Sequence, residues 1–406
     1  MPFRGILLIL FEVGFALKFN LVGEISISEL FLVFYSPFFL QRFIKSKNTS
    51  IRFLLFVYIF LLVSQILSES VVSNNMANSL KGIAITIVSF LHLSFLILIF
   101  SKNISDINFI LIGLVIKMLC FRTEDVAEDS FASLTAVNND AKFLKFYLAP
   151  IITYVLLYLS TVFRKHIAPL LMLVSMGFIF LGARSMGLML LLSTIMIYVL
   201  ENKSRFNTRL TLWCILGGVI FVYTLYVLYV NSVLKGEITA GNSSQILMLD
   251  NPYNPFELLL YGRHDFYGSW IAFKDSPIFG YGAWSKDITG YYNFLMAKWV
   301  HLDIPQYMLI GKGMPMHSVI LGYGVMNGIL SLISVSCLIF FVIRKGFYAL
   351  KSLSAYSYII SYFIIALLWN GLFSPLSHFR LYLPLYMSFI FISYFKQPKF
   401  KWIMQQ

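Results

Sequence analysis

Three polar side chains stand where a chain this apolar has little structural use for them. Arg184 lies in Gly182-Ala183-Arg184-Ser185-Met186-Gly187, between two apolar runs. Arg263 opens Arg263-His264-Asp265-Phe266-Tyr267-Gly268-Ser269-Trp270, and His317 sits in Met314-Pro315-Met316-His317-Ser318 where another apolar run begins. A guanidinium presents a planar fork that fits two phosphate oxygens at once, and its charge-assisted hydrogen bonds strengthen where water is scarce. Two of them would hold a diphosphate and stabilise the charge that gathers on it as a bond to it breaks. A neutral imidazole nearby can take the proton of an attacking sugar hydroxyl. Each residue also has an ordinary explanation. Arg184 reads equally as a side chain snorkelling from a tight turn, Arg263 as a surface partner of Asp265 or Glu257, and His317 as a polar helix end. The flanking glycines of Arg184 would let a ligand approach the backbone closely.

The elements that must position these groups are membrane helices. The chain of 406 residues is 59% hydrophobic and only 12% charged, about half the charge of an ordinary soluble domain. Its apolar residues come in runs near 20, the length of helix that crosses about 30 Å of hydrocarbon. These runs fall near 5–22, 25–41, 53–67, 82–100, 107–121, 146–163, 167–183, 186–200, 210–230, 316–343, 356–373 and 380–395. The expected fold is therefore all-α, a polytopic membrane protein of about 12 transmembrane helices, the first an uncleaved N-terminal span.

Orientation follows from the connectors. Arg42, Lys45, Lys47 and Arg52, then Lys102, Arg164 with Lys165, Lys203 with Arg205 and Arg209, Arg344 with Lys345 and Lys351, and finally Lys396, Lys399 and Lys401 load every second connector. Basic loops stay in the cytoplasm, so both termini are expected there in a bacterial inner membrane. Arg184, Arg263 and His317 then share the opposite, periplasmic face. Because the net charge of +13 resides in short connectors, it sets topology and does not suggest a nucleic-acid partner. Cys120, Cys214 and Cys337 lie in or beside apolar runs without C-x-x-C spacing, which argues against a disulfide framework or metal site.

Residues 231–315 form a connector far longer than those between packed helices. This divides the chain into 1–230 with nine spans, a periplasmic cap over 231–315, and 316–406 with three spans and a cytoplasmic C-terminus. Within the cap, Pro255 to Lys274 reads as one helix that repeats Arg263, Tyr267, Trp270 and Lys274 at helical spacing. The carboxylates Glu124, Asp125, Glu128, Asp129 and Asp140 crowd another loop on that face. They read as a solvated loop, so no metal and no cofactor is expected.

The order of these features resembles the O-antigen polymerase and O-antigen ligase superfamily. The resemblance rests on an Arg after a short turn, then a large loop with Arg and an aromatic helix. The turn Pro277-Ile278-Phe279-Gly280-Tyr281-Gly282 follows, and last a His before a span rich in glycine (Gly322, Gly324, Gly328). It covers roughly 165–345. The family often has His-Asn where this chain has His317-Ser318. The resemblance implies an architecture like that of the multi-span glycosyltransferases and an inverting, metal-independent transfer of an undecaprenyl-diphosphate-linked oligosaccharide. Arg184 and Arg263 would bind the diphosphate, and His317 would activate or orient the acceptor hydroxyl; Tyr267, Trp270 and His264 are candidate acceptor or loop contacts. A polymerase, extending a lipid-linked repeat unit with a chain-length regulator as partner, is the preferred expectation. A ligase acting on the lipid A core is the alternative, and a flippase for the same lipid-linked sugar is the alternative from another class.

Overall fold

The computed structural model describes residues 3–20, 23–72, 75–121, 143–164, 166–202, 220, 223–224, 226–237, 246–261, 263–352 and 354–396. The acidic loop around Glu124, most of the expected span 210–230 with Cys214, the basic Lys203, Arg205 and Arg209, Lys165, and the C-terminal Lys399 and Lys401 lie outside them. Helices dominate: α1 (Phe3–Val13), α2 (Ile27–Ile44), α3 (Thr49–Val72), α4 (Met76–Lys102), α5 (Ile107–Cys120), α6 (Ala149–Val162), α7 (Ile167–Phe180), α8 (Arg184–Glu201), α9 (Pro255–Tyr261), α10 (His264–Asp275), α11 (Tyr291–Trp299), α12 (Val319–Leu350), α13 (Ser357–Phe373), α14 (Ser377–Leu381) and α15 (Leu383–Phe395). Among the described residues six helical segments are long and apolar enough to cross a membrane: α2, α3, α4, Leu144–Val162, α8 and α12. The apolar α7, α13 and α15 are shorter. Helices are the natural answer, since hydrocarbon offers backbone amides no other partner.

The expected first span is cut short. Helix α1 ends at Val13, and the chain then forms a two-stranded hairpin, Lys18–Asn20 against Glu24–Ser26. Lys18 pairs with Glu24 at 3.0 Å across the hairpin, a contact that period-3.6 reading passes over. The fold is thus helical with one small β-ribbon. Ser26 ends that ribbon and starts α2 through a capping box, its amide donating to Glu29 Oε2 at 2.7 Å.

The core sits around α15. Every side chain from Leu383 to Ser393 is buried, as a helix apolar on all sides must be. It packs between α4, α12 and α13, with Phe100 and Phe363 edge-on to Phe389 at ring-centroid distances of 5.3 and 5.7 Å. The outer helices instead expose large apolar groups, such as Phe34 and Phe38 on α2 and Phe56 on α3. Those faces suit lipid.

Helix α12 is two helices joined at a break. Gly328 has φ 74° and ψ −168°, a conformation open essentially to glycine alone. The turn Pro277–Gly282 enters that break. Tyr281 N donates to Val325 O and Gly282 N to Met326 O, both at 2.8 Å, while Ile329 N donates to Pro277 O at 2.8 Å. Carbonyls and an amide freed by the break are thereby satisfied from the cap. A Cβ at Gly328 would collide with the Ile278 carbonyl, and one at Gly280 with the backbone of Val325 and Met326. From α3, Ser68 donates to Phe279 O, and Glu69 Oε1 accepts from Ala283 N at 2.6 Å. The cap is therefore keyed into the bundle by backbone hydrogen bonds.

Candidate functional site at the cap end of the bundle

The cap is folded. Residues 226–234 are helical, α9 to α11 follow, and small apolar clusters hold them, one built on Met296, Ala297, Val300 and Leu309. Asp287, buried, accepts from the Asn293 amide at 3.0 Å and from its side chain at 3.1 Å, and that side chain also donates to Gly313 O at 3.2 Å. Tyr292 donates to Asp275 Oδ2 at 2.9 Å and meets the Tyr281 hydroxyl at 2.5 Å. Burial raises the pKa of both phenols, so both remain protonated donors.

The expected single helix from Pro255 to Lys274 is two. Arg263 breaks it with non-helical backbone, φ −135° and ψ 36°, and stands as the N-cap of α10. This matters for the site, because Arg263 leaves the face of Tyr267, Trp270 and Lys274 and turns toward α13. Its Nη1 donates to Phe373 O at 3.0 Å. Its guanidinium lies over the rings of Trp369 and Phe373, 5.3 and 5.7 Å from their centroids. Burial pulls its pKa below the ordinary arginine value, with Asp265 opposing. Two aromatic faces and one carbonyl fix one edge of the fork without neutralising it.

Two residues along, Asp265 Oδ2 lies 3.5 Å from His317 Nδ1 and 3.8 Å from His264 Nε2. The first distance is longer than an ordinary hydrogen bond. Helix α10 is held against the segment carrying His317 by Ser269, whose hydroxyl donates to Pro315 O at 2.8 Å. Ser318, next to the histidine, caps α12 by accepting from Leu321 N and donates to Gly371 O at 3.1 Å. The imidazole is thus positioned from both sides and remains accessible, its side chain 38% exposed. His301 stands apart from this cluster, 3.9 Å from Asp250.

Arg184 is the first residue of α8, after Gly182 at φ 96°. A cation at a helix N-terminus opposes the dipole and costs stability, so its place there is not explained by the helix. Its Nη2 donates to Tyr229 Oη at 2.6 Å, and the guanidinium lies 5.0 Å from that ring centroid. Helices α8 and α13 run antiparallel, Ser361 donating to Ser193 O at 2.8 Å. From that level Phe373 lies about 18 Å toward the cap and Arg184 about 14 Å, at 1.5 Å per residue. Both arginines therefore lie toward the same end of these helices.

Sequence reasoning missed Lys145. It lies in a turn of π-helix, Leu144–Leu148, that leads into α6, and α6 packs against both α8 and α13. A lysine just before an apolar run looks like any interfacial anchor; the π-turn is the distinguishing sign, and such turns are frequent at functional sites. The aromatic residues divide. Tyr267 stacks on Trp299 at 4.5 Å, while Trp270 is 47% exposed. Both lie on α10, downstream of the Asp265–His317 pair.

The fold and composition define a helical membrane protein with a folded cap. No protein family, no curated protein and no solved structure matches the chain.

Proposed function

We propose that the protein is a membrane glycosyltransferase that uses an undecaprenyl-diphosphate-linked glycan as donor and a sugar hydroxyl of a second lipid-linked repeat unit as acceptor. The observation that carries this reading is that, toward one end of the bundle, two arginines whose partners among the described residues are neutral groups accompany a histidine beside a carboxylate. Arg184 and Arg263 hold the diphosphate. The acceptor oxygen attacks the anomeric carbon from the side opposite the diphosphate, and the bond from that carbon to phosphate oxygen breaks with its electron pair moving to the diphosphate. The acceptor proton passes to Nε2 of His317, whose Nδ1 faces Asp265 and whose growing positive charge Asp265 stabilises. Inversion at the anomeric carbon follows from the single displacement. The exposed Trp270 and the Tyr267–Trp299 stack offer faces to sugar rings.

The reading places the cap on the periplasmic face of a bacterial inner membrane, with both termini in the cytoplasm, in keeping with the alternating basic connectors. A polymerase fits better than a carrier, because the conspicuous charges gather beneath the cap at one end of the bundle, whereas a flippase needs them near the midplane and open to both sides in turn. The test is reconstitution. The purified protein in lipid nanodiscs should lengthen a lipid-linked repeat unit with no nucleotide sugar added. Release of undecaprenyl diphosphate without a longer glycan would refute acceptor transfer, and inertness toward every lipid-linked glycan offered would refute the reading as a whole.

A further inference from the structure

We propose that Lys145 is a third cation of the diphosphate site, one that binds the departing diphosphate more strongly than the intact donor. The inference rests on the glycosyltransferase reading above. The fold brings Lys145 there: its π-turn leads into α6, and α6 packs against both α8, which begins with Arg184, and α13, whose last residue accepts from Arg263. The side chain keeps accessible surface although protein packs around much of it, with Nζ 5.1 Å from the Phe146 ring centroid. Among the described residues no carboxylate forms an ion pair with it. The packing of α6 against the helices that carry or contact the two arginines gathers three cations toward one end of the bundle. Asp265 is the one carboxylate that the described residues set beside them, and the surplus of positive charge is one that an anion would relieve.

The count of charges suggests what the third cation is for. In the donor, both phosphates are diesters, and each carries one negative charge, matched by two guanidinium groups. When the bond from the anomeric carbon to phosphate oxygen breaks, its electron pair stays on that oxygen, and the terminal phosphate gains a further negative charge. Lys145 meets that new charge. A group that binds the leaving diphosphate better than the donor lowers the barrier without tightening the ground state. An ammonium suits this role because it is a compact point charge on a flexible stem, able to follow the oxygen as charge develops.

The test uses the full-length protein in nanodiscs and two probes: farnesyl diphosphate, with a free terminal phosphate, and its terminal methyl ester, in which both phosphates are diesters. Affinity is measured for the wild type, Lys145→Met and Lys145→Arg, with the thermal midpoint of each as a check on folding. The wild type should bind the free diphosphate more tightly than the ester. Lys145→Met should lose about tenfold to a hundredfold on the free diphosphate, as for a charged hydrogen bond, and less than about threefold on the ester; Lys145→Arg should retain most of the preference. Equal losses on both probes would overturn the charge-matching role, and no loss on either would remove Lys145 from the site while leaving the glycosyltransferase reading intact. A wild type that binds neither probe would overturn that reading and this inference with it. If Lys145→Met unfolds early, the ratio of the two affinities in Lys145→Arg decides, because an arginine that abolishes the preference also refutes the proposal.

Discussion

Replacing Gly328 by alanine should uncouple the cap from the bundle while leaving the helices folded. The backbone there has φ 74° and ψ −168°, and a residue with a Cβ held in that region costs on the order of 1–3 kcal/mol. The Cβ would also run into the Ile278 carbonyl and the Phe279 amide; such overpacking adds about 1–3 kcal/mol. The cheapest relief is to let Pro277–Gly282 withdraw, at the expense of three interlocking hydrogen bonds, each 2.8 Å long. The expected destabilisation of the docked cap is therefore about 3–5 kcal/mol, the middle of the summed range. Gly311 supplies the control. Its φ is 76° but no atom lies within 4 Å of a Cβ built there, so Gly311→Ala carries the strain alone.

Hydrogen exchange in detergent or nanodiscs reads this directly. In Gly328→Ala the amides of Tyr281, Gly282 and Ile329 should lose protection by about a hundredfold to a few thousandfold, since each 1.4 kcal/mol is a factor of ten. Amides in the middle of α15 should be unchanged. Protection at those three amides equal to that in Gly311→Ala would refute the argument, because it would mean that the turn does not depend on the break to dock.

Lysine at Arg184 or Arg263 keeps the charge but loses the fork, so each variant should transfer glycan about a hundredfold more slowly at normal membrane levels; a double lysine variant with near-normal rates would exclude the clamp. His317→Ala should abolish transfer and Asp265→Asn should slow it by about tenfold to a hundredfold, whereas adding Asp265→Asn to His317→Ala should cost nothing further, because a carboxylate that acts through the imidazole has no role without it. Undiminished loss from Asp265→Asn in the His317→Ala background would make the two residues independent. In the other half of the protein, Glu12 and Lys117 pair at 2.7 Å with their side chains 6% and 12% exposed. Lys117→Met alone should destabilise by about 3–5 kcal/mol and the double change Glu12→Leu with Lys117→Met by far less, measured by thermal unfolding, since a buried charge is costly chiefly when its partner is gone.

Much of the scaffold was legible because hydropathy acts over whole helices. Runs near 25–41, 53–67 and 82–100 correspond to α2, α3 and α4, and the turn before Arg184 lies where the glycines and the change of run put it. What escaped the sequence depends on partners distant along the chain. Gly328 looked like one more small residue in an apolar span; its necessity arises from the Ile278 carbonyl, 50 positions away. Arg263, Tyr267, Trp270 and Lys274 fit one helical stripe, yet α9 and α10 part at Arg263, where the pull of Trp369 and the Phe373 carbonyl outweighs a continuous helix. Asp265 was visible as a neighbour of Arg263, but its approach to His317 is made by Ser269 and Pro315 closing α10 onto the next segment. Lys18 and Glu24 mark a hairpin only once their pairing across it is seen.

The charges themselves separate into two kinds, and the difference bears on function. In the bundle, Glu12 with Lys117, Glu29 with Arg380 at 3.2 Å, and Asp106 with Arg4 are cation–carboxylate pairs. A pair of this kind is close to neutral from a short distance and leaves little field for a ligand. Beneath the cap the partners are different. Arg184 is held by a tyrosine hydroxyl and ring, and Arg263 by a backbone carbonyl and two aromatic faces. These are neutral groups that fix direction without cancelling charge. An arginine meant only to stabilise the fold gains more from a carboxylate, and glutamates and aspartates serve that purpose elsewhere in this chain. Holding two guanidinium groups on neutral supports keeps their positive potential available. Among the described residues the carboxylate in the group is Asp265, which faces His317 as well as Arg263 and so would stabilise the imidazolium that proton transfer would create. An anionic ligand bound next to a proton acceptor accounts for both arrangements at once.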